Sequence, residues 1–344
     1  MPIQTDFKFN QKHSGAPAVP EITATAISKD DFLGLLRELC GDTPEGNAQR
    51  TWKGKGFNMI WRPNKPDVTP GFGDQPHFLQ LNMTEETLSF TDISGPTGIA
   101  NRGLLQKDIF LGGVAYLQTI NDSFDNTGQH FEPGVFNNVP ETENPGVGPA
   151  VVRMGSIPHG TTINMQGQSF TVPQPRIDPS SIVPFRIGSV DDGETDLVPF
   201  AEQDLATPTA SRTDLARVAG LDQAHLNDPN LFLKDVLAGQ TITETIVLVL
   251  SSDSTLPGSV PDIGGGAANI AFLVGKGTPP AGGPNANMPR ASAIFWIEKG
   301  ADKDGKPLLQ LQYTQRVILD FNGLSWPHVT VATLRPIDPS TGTA

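Results

Sequence analysis

The stretch from Leu309 to Gln315 alternates strictly between apolar and polar side chains. Successive side chains of a β-strand point to opposite faces, so this pattern predicts a strand with one buried and one polar face, which is typical of antiparallel sheets. Asn322-Gly323 follows, and this dipeptide is a strong signal for a two-residue hairpin turn. The segment from Trp326 to Arg335 has the pattern of a second strand. We therefore predict that these two strands pair as neighbours.

The closing strand carries a histidine near its start. Pro327 suits the first position of a strand, because its missing N–H costs nothing before the ladder begins. Strand alternation then places His328, Thr330 and Ala332 on one face, together with Leu334. If that face looks into a barrel, His328 stands above small side chains with open volume beside it, as the imidazole ligand of a bulky flat cofactor requires. The alternative is a hydrogen-bonded histidine at the end of an ordinary strand.

Composition extends the β prediction to most of the chain. The 344 residues include 36 glycines and 31 prolines, well above average usage, and many short apolar runs lie between them. Such a sequence predicts many turns and a β-rich fold. Further strands are predicted at Gly56–Arg62, His77–Met83, Thr87–Ile93, Val114–Asn121, Ala150–Ser156, Thr161–Gln166, Thr241–Ser251, Ala268–Val274, Ala291–Glu298 and Leu308–Leu319.

We predict an all-β, mainly antiparallel fold, in the form of a single barrel of about ten strands with helical and loop insertions. One barrel can use roughly 200 residues or more as a single domain. The barrel domain is predicted to span residues 50–336. It follows an N-terminal arm with a capping helix over residues 1–49 and precedes a tail over residues 337–344.

Two segments carry helical signals. The capping helix is indicated by Phe32, with further apolar residues at i+3, i+4 and i+7. Residues 203–240 interrupt the strand pattern, with Asp228 as the predicted N-cap of a helix and Pro229 in its first turn. We predict that this second segment forms helices outside the barrel wall.

Charge and cysteine content exclude several classes of function. The formal net charge is −13 and no tract of lysine and arginine occurs, so nucleic acid and anionic membranes are not expected as partners. The single cysteine, Cys40, excludes an internal disulfide framework and a cysteine-based metal site, and we expect it to be buried and inert. No apolar run is long enough to cross a membrane and no signal peptide is visible, so a cytoplasmic location is expected. The motifs G-x-S-x-G and H-E-x-x-H are missing, so a hydrolase or a zinc enzyme is not supported.

Three other segments contain candidate site residues. Trp52-Lys53-Gly54-Lys55-Gly56 opens the first strand, and its glycines allow a close backbone approach or a sharp bend. His130 and Glu132 share one face of a predicted strand, where they form a buried hydrogen bond, a solvated rim pair or part of a pocket. His159 lies between a proline and a glycine, which is typical of a tight turn, and it points either into a cavity or into water.

Taken in order, these segments resemble the nitrobindin family of haem-binding β-barrels, which are related in architecture to the lipocalins. The family opens its barrel with Trp-x-Gly-x-Gly and continues with a His-x-Glu-x-Gly-aromatic strand. It ends with a strand that carries the axial haem histidine before a Leu-Arg pair. The matching residues here are Trp52, Gly54 and Gly56; His130, Glu132, Gly134 and, after one intervening residue, Phe136; and His328, Ala332, Leu334 and Arg335.

The chain also departs from this family. Family barrels are much shorter, so the resemblance implies large insertions here. The family has its own histidine next to a proline after the His-x-Glu strand, whereas this chain has the order Pro158-His159. The stretch from Arg153 to Thr162 additionally resembles one that is found in a group of bacterial and fungal proteins labelled haem-binding.

The resemblance implies a small-molecule ligand inside the barrel, namely haem b with His328 as the axial iron ligand. It implies that Trp52, Thr330 and Ala332 lie around the cofactor, and it makes His159, His130 and Glu132 candidate catalytic residues on the opposite side. The implied chemistry acts on nitric oxide, peroxynitrite or peroxides, as in a peroxynitrite isomerase or a peroxidase. The alternative is a haem-free barrel that binds an apolar small molecule as a carrier, an isomerase or a cyclase. The oligomeric state is not set by the sequence.

Overall fold

The computed structural model of the protein describes residues 25–26, 38–41, 49–68, 70–93, 98–144, 146–147, 149–189, 196–253, 265–276 and 284–337. Ten strands form a barrel, and we label them β1 to β10 in chain order. Their bounds are Gln49–Pro63 (β1), His77–Asp92 (β2), Ile109–Asp122 (β3), Gly128–Val139 (β4), Ala150–Ile157 (β5), Thr161–Val172 (β6), Thr241–Ser251 (β7), Asn287–Ala301 (β8), Pro307–Phe321 (β9) and Leu324–Pro336 (β10).

The strands follow an up-and-down order. Each strand from β1 to β9 pairs antiparallel with the next one along the chain. β10 then pairs antiparallel with β1, with His328 opposite Ile60, and this pairing closes the sheet. Closure removes the exposed sheet edges that would otherwise invite association. The predicted fold class, a single antiparallel barrel of about ten strands, is confirmed.

The strand boundaries correct the sequence prediction at two places. His77–Met83 and Thr87–Ile93 belong to one strand, β2, because the alternation continues through the polar residues between them. Ala268–Val274 is not a barrel strand. Gly266–Asn269 forms a short strand beside β6, and a helical turn follows at Ala271–Val274.

The predicted hairpin between the last two strands is confirmed. Asn322 and Gly323 both have positive φ, at 49° and 77°, and they join Phe321 to its pairing partner Leu324. These are the left-handed conformations that a type I′ turn requires at both central positions, and Asn-Gly adopts them at low cost.

Glycine also makes the closing seam possible. A Cβ on Gly56 would lie 2.3 Å from the Val331 carbonyl oxygen of β10, and a Cβ on Gly54 would lie 2.0 Å from the Thr333 carbonyl oxygen. Real side chains do not make contacts this short, so the first and last strands approach this closely only because β1 carries glycine at both positions.

Two apolar cores lie on opposite faces of the barrel wall. The inner core lies inside the barrel, with Trp52, Phe90, Phe136, Phe295 and Leu334 among its buried members. The outer core lies between the outer wall and the chain segments that cover it. It includes Phe57, Trp61, Leu81, Trp296, Trp326 and Val331 of the wall and Ile177, Ile182, Val218, Leu226 and Leu233 of the cover.

The cover comes from the long connection between β6 and β7. It contains 3₁₀ helices at Ala201–Gln203 and Leu215–Arg217, helix α1 at Gln223–Asn227 and helix α2 at Leu231–Leu237. Leu226 and Leu233 from these helices are buried against the outside of the barrel. None of the ten barrel strands comes from the described part of this connection, although its residues Phe185–Arg186 pair with β10.

The start of helix α2 differs from the prediction. α2 begins at Leu231 with Asn230 at the N-cap position, two residues after the predicted cap. The Asp228 carboxylate instead accepts from the backbone N–H groups of Ser180 and Asn230, which ties the helix start to the preceding loop. The Asn230 side chain donates to the Asp178 carbonyl and accepts from Thr314 on the outer face of β9.

The other described elements are short. Two-residue strands lie at Thr25–Ala26, Thr142–Glu143, Gly146–Val147 and Phe185–Arg186, a three-residue strand at Ile99–Asn101, and helix α3 at Ala271–Val274. Residues 38–40 are helical, whereas the rest of the predicted capping helix and the tail after residue 337 lie outside the described residues.

Cys40 is buried in the inner core, and burial, helped by Asp92 and opposed by Arg50, raises the pKa of its thiol to about 12. In the described ranges, no helix has the length and apolar character needed to cross a membrane.

Candidate ligand-binding site

A cavity of about 320 Å³ lies inside the barrel, at the end where β1 finishes and β10 begins. This volume is at the lower end of the range of small-molecule sites, roughly 300 to 1,000 Å³. Most of the lining residues have polar side chains, and two isoleucines are apolar exceptions. The lining consists of Asn58, Ile60, Arg62, Gln80, Gln118, Ile120, Gly128, Gln129, His130, His159, Tyr313, Gln315, His328 and Thr330.

The cavity brings together three histidines that are far apart in sequence. His328 lies on β10, His130 on β4, and His159 in the turn between β5 and β6. In a ten-strand barrel, β10 and the β4–β5 region lie on different sides of the lumen. His328 therefore meets His130 and His159 across the cavity, and the sequence prediction that His328 points into the barrel is confirmed.

His328 is held as a neutral ring. Its Nε2 lies 2.7 Å from Asn58 Oδ1, and Thr330 Oγ1 donates to the same oxygen at 2.9 Å. Because that oxygen only accepts, a neutral His328 carries its proton on Nε2 and donates it to Asn58. Burial lowers the pKa of His328 to about 3, with smaller contributions from His130 and His159. The ring is therefore uncharged at neutral pH.

His130 and His159 form a pair at the opposite wall. Their ring centroids are 5.7 Å apart. His159 belongs to a tight turn that the Gly160 N–H closes by donating to the Ile157 carbonyl at 3.0 Å, with Gly160 at a φ of 112°. Loss of solvation, followed by the neighbouring His130, lowers the pKa of His159. His159 lines the cavity and is also exposed to solvent, so the structure combines the two alternatives that the sequence left open.

A buried ion pair supports His130 from beneath. His130 Nε2 lies 3.2 Å from Glu132 Oε2, and Arg153 donates to Glu132 Oε1 at 2.8 Å. Tyr116 also donates to Oε1, and Arg153 donates to Gln315 Oε1 at 2.6 Å. Burial raises the pKa of Glu132, but Arg153 and His130 outweigh it and hold that pKa at about 2. Glu132 is therefore an ionised group that orients His130, which is the buried alternative among those left open by the sequence.

A second buried carboxyl group lies below the cavity floor. Tyr313 and Gln118 line the floor, and Tyr313 Oη donates to Glu86 Oε2 at 2.5 Å. Thr84 donates to Glu86 Oε1 at 2.9 Å, and Gln118 Nε2 donates to Tyr313 Oη at 2.8 Å. Burial raises the pKa of Glu86 to about 7, because the neutral hydrogen-bond donors around it only partly offset the loss of water.

Neither Glu86 nor Arg153 was among the residues predicted from sequence. Strand alternation from Leu88 and Phe90 would have placed Glu86 on an apolar face, where a carboxylate is unusual and therefore informative. Arg153 occupies the corresponding inward position of β5. Both residues could have been found from the sequence, because each is an ionisable residue at a strand position where alternation predicts an inward-facing apolar side chain.

Two of the predicted cofactor residues lie outside the cavity lining. Trp52 and Ala332 are buried in the inner apolar core, where Trp52 Nε1 donates to the Leu39 carbonyl at 2.8 Å. Thr330, the third, lines the cavity. The remaining described histidines are structural: His77 packs against aromatic residues beside the outer wall, and His225 bridges two aspartates on the covering segment.

Across the part of the chain that the structure describes, no group of three or more histidine, cysteine, aspartate or glutamate side chains is arranged to hold a metal ion. A site of that kind, with several protein ligands around one ion, is a different arrangement from a single axial histidine. The cavity instead presents one half-buried neutral imidazole, two histidines opposite it and a set of amide, hydroxyl and guanidinium groups.

Comparison with known proteins adds little to this geometry. No protein-family model matches the chain, and no curated protein matches it. Among solved structures, the chain is similar to the crystal structure of Rv2717c from M. tuberculosis, at 13% identity over 88% of this chain and 96% of that one, with a TM-score of 0.36. The fold assignment therefore rests on the strand pairing of this chain itself.

Proposed function

We propose that the protein binds haem b in the histidine-lined cavity, with His328 as the axial ligand of the iron. The observation that carries this proposal is an inward-facing imidazole that is kept neutral, with a pKa of about 3, opposite a second pair of histidines. A neutral imidazole is the protonation state that coordinates a metal ion, and a single histidine is a common proximal ligand of haem.

Two features of the surrounding residues favour haem binding, and one hydrogen bond competes with it. His130 and His159 lie across the cavity, and the ion pair beneath fixes His130 through Glu132. Asn58 is the opposing element, because it holds the Nε2 proton of His328 at 2.7 Å. Coordination through Nε2 therefore requires Asn58 to release this bond and the proton to move to Nδ1.

Bound haem would supply an open sixth position for nitric oxide, peroxynitrite or a peroxide. The residues of this chain would then hold and move protons there. Glu132 orients the His130 ring, and His130 or His159 can donate or accept a proton on the cavity side. We propose a peroxynitrite isomerase-like or peroxidase-like activity on this basis.

The second candidate is a haem-free barrel that binds a small polar molecule. It is favoured by the bond between His328 and Asn58, by the modest cavity volume and by a lining rich in amides. The apolar ligand considered from the sequence gains no support, since the apolar part of the lumen is already filled by aromatic side chains such as Phe90 and Phe295. A packed interior of this kind leaves little room for a second apolar body.

Haem titration separates the two candidates. The purified protein is titrated with haem while the Soret band is recorded, beside the variants His328→Ala and His225→Ala. We expect saturation at one haem per chain for the wild type and for His225→Ala, whose histidine lies on the covering helices. His328→Ala should bind haem more than about 100-fold more weakly, since even the outer-shell partners of a metal ligand are worth roughly 10- to 100-fold. Equal affinity of all three proteins, or no saturable uptake, would favour the haem-free candidate.

A further inference from the structure

The floor of the cavity contains a hydrogen-bonded unit that neither the histidines nor a haem iron uses. It consists of Tyr313 on β9, Gln118 on β3 and Glu86 on β2, and Glu86 is 1% exposed. Tyr313 and Gln118 line the cavity, whereas Glu86 lies behind them. A ligand in the cavity can therefore contact the phenol and the amide but is screened from the carboxyl group.

The lining of the cavity favours ligands that accept hydrogen bonds. Among the described residues that line it, there is no aspartate or glutamate, whereas Arg62 contributes a guanidinium. Gln315 contributes an amide whose oxygen accepts from Arg153, so its Nε2 is left as a donor. Arg62 lies on the inner face of β1, donates to Gln80 Oε1 at 3.0 Å and stacks over Phe72. A guanidinium has five N–H donors and no acceptor, so it suits an anionic oxygen.

The protonation state of Glu86 decides where Tyr313 can donate. When Glu86 is a carboxylate, the Tyr313 hydroxyl donates to it, as at the 2.5 Å contact. When Glu86 is a carboxylic acid, its own proton can bridge to Tyr313 Oη, and the hydroxyl hydrogen of Tyr313 is then available to the cavity.

We propose that this floor is a binding subsite for small oxyanions, carboxylates among them, and that the anion is bound together with one proton that Glu86 takes from solvent. In this step no bond between heavy atoms forms or breaks. The proton comes from water, Glu86 becomes neutral, and Tyr313 transfers its hydrogen bond from Glu86 to the anion. The proposal does not depend on haem.

The surroundings of Glu86 support proton uptake. The groups that face it are neutral: Thr84 on its own strand, Gln118 on β3 and Tyr313 on β9. The pKa of Glu86 is raised to about 7 by burial, so both protonation states are accessible near neutral pH. Besides Glu86, the charged group that acts on Tyr313 is Arg153 on β5, which is paired with Glu132 on β4.

The test uses haem-free protein with acetate as the probe. Calorimetric titrations between pH 5.5 and 8.5, in buffers of different ionisation enthalpy, give both the affinity and the number of protons taken up. For the wild type we expect acetate affinity to fall up to tenfold per pH unit above about pH 7, with close to one proton taken up. His159 also lines the cavity and can exchange a proton with solvent, so the readout is the difference between the wild type and its variants.

Three variants make that difference specific. Glu86→Gln mimics the neutral acid and should bind acetate with no proton uptake at this position. Tyr313→Phe should bind acetate roughly tenfold more weakly, as expected for the loss of one hydrogen bond to a charged group. Glu298→Gln is the matched control, because Glu298 is also buried, its pKa is also raised to about 7 by burial, and it lies on the outer face beside Gln310.

The outcomes separate this inference from the haem proposal. Equal proton uptake by the wild type and Glu86→Gln, unchanged affinity in Tyr313→Phe, or no acetate binding at all would each overturn the oxyanion subsite. None of these results bears on haem uptake. Conversely, a protein that binds acetate in this way and takes up no haem would overturn only the haem proposal.

Discussion

Glu86 and Glu132 occupy similar places in the barrel but exist in opposite environments. Both are inward-facing, both are at most 1% exposed, and they lie on β2 and β4 with only β3 between them. Burial raises the pKa of each carboxyl group. For Glu86 this effect prevails and the pKa reaches about 7, whereas Arg153 and His130 bring the pKa of Glu132 to about 2.

The difference shows that burial alone does not set the charge of a group inside this barrel. Glu86 meets a phenol, a hydroxyl and an amide, which stabilise a carboxylate only partly. Glu132 meets a guanidinium, which supplies a full opposite charge at 2.8 Å. Two carboxyl groups whose environments separate their pKa values are suited to different roles, one as a fixed anion and one as a proton carrier.

The largest effect is expected from removing the cation of the Glu132 pair. Arg153→Met should lower the free energy of unfolding by about 3 to 5 kcal/mol, because it leaves a buried carboxylate without its charge partner. The double variant Glu132→Gln/Arg153→Met should recover part of this loss. The measurement is urea unfolding at pH 7, with Arg176→Met of the exposed Arg176–Asp178 pair as a control that should change stability by less than about 1 kcal/mol. Equal losses at the two arginines would show that the buried pair is no different from a surface one.

The pH dependence of stability should separate the two carboxyl groups. The folded-state pKa of Glu86 is raised, so the folded state binds more protons than the unfolded state between about pH 4.5 and 7. Stability that depends on Glu86 is therefore lost as pH rises through this window and is constant above it. Glu132 behaves in the opposite way, since its folded-state pKa is depressed and its contribution is lost as pH falls from about 4.5 towards 2.

Glu86→Gln isolates the first of these slopes. Relative to the wild type, the free energy of unfolding of Glu86→Gln should increase between about pH 4.5 and 7. The increase is at most roughly 3.4 kcal/mol, at about 1.36 kcal/mol per pKa unit. Unfolding is measured in urea at a series of pH values, with Glu85→Gln at the exposed neighbouring position as the control. If the free energies of unfolding of the wild type and Glu86→Gln differed by the same amount at pH 4.5 and at pH 8, that result would contradict the raised pKa of Glu86.

The smallest effect concerns Asn58. Asn58→Ala removes the acceptor that holds the Nε2 proton of His328, so the ring becomes available for coordination. We expect haem affinity to rise by a few-fold, up to about tenfold, which corresponds to the net value of one neutral hydrogen bond. Soret titration of Asn58→Ala beside Asn126→Ala, which lies in the β3–β4 turn, measures the difference. A loss of affinity in Asn58→Ala alone would mean that Asn58 supports the ligand site and does not compete for it.

The barrel was predictable because its signals are local. Alternation in β9, the Asn322-Gly323 turn and the glycines of β1 each act over a few residues, and the structure has all three as expected. The limits of β2 were less visible, because inward-facing Thr84 and Glu86 interrupt the apolar pattern that marks a strand.

The site was only partly predictable, since it depends on contacts between distant strands. His328, His130 and His159 could each be selected from their local settings, but only the folded barrel brings them to one cavity. Arg153 is the partner that keeps Glu132 ionised, and Asn58 is the hydrogen-bond partner of His328, 270 residues away in sequence. The periodicity of a single sequence does not show which distant residues are in contact. Trp52 shows the opposite error. It was selected because it belongs to a motif, but in the structure it packs in the apolar core.

The most direct test of the central claim is a crystal structure of the protein grown with haem at one equivalent per chain. We predict iron within bonding distance of His328 Nε2, the Asn58 side chain turned away from that nitrogen, and His130 and His159 on the opposite side of the haem plane. A structure with haem only on the outer surface, or with the His328–Asn58 hydrogen bond intact and no haem in the barrel, would contradict the account.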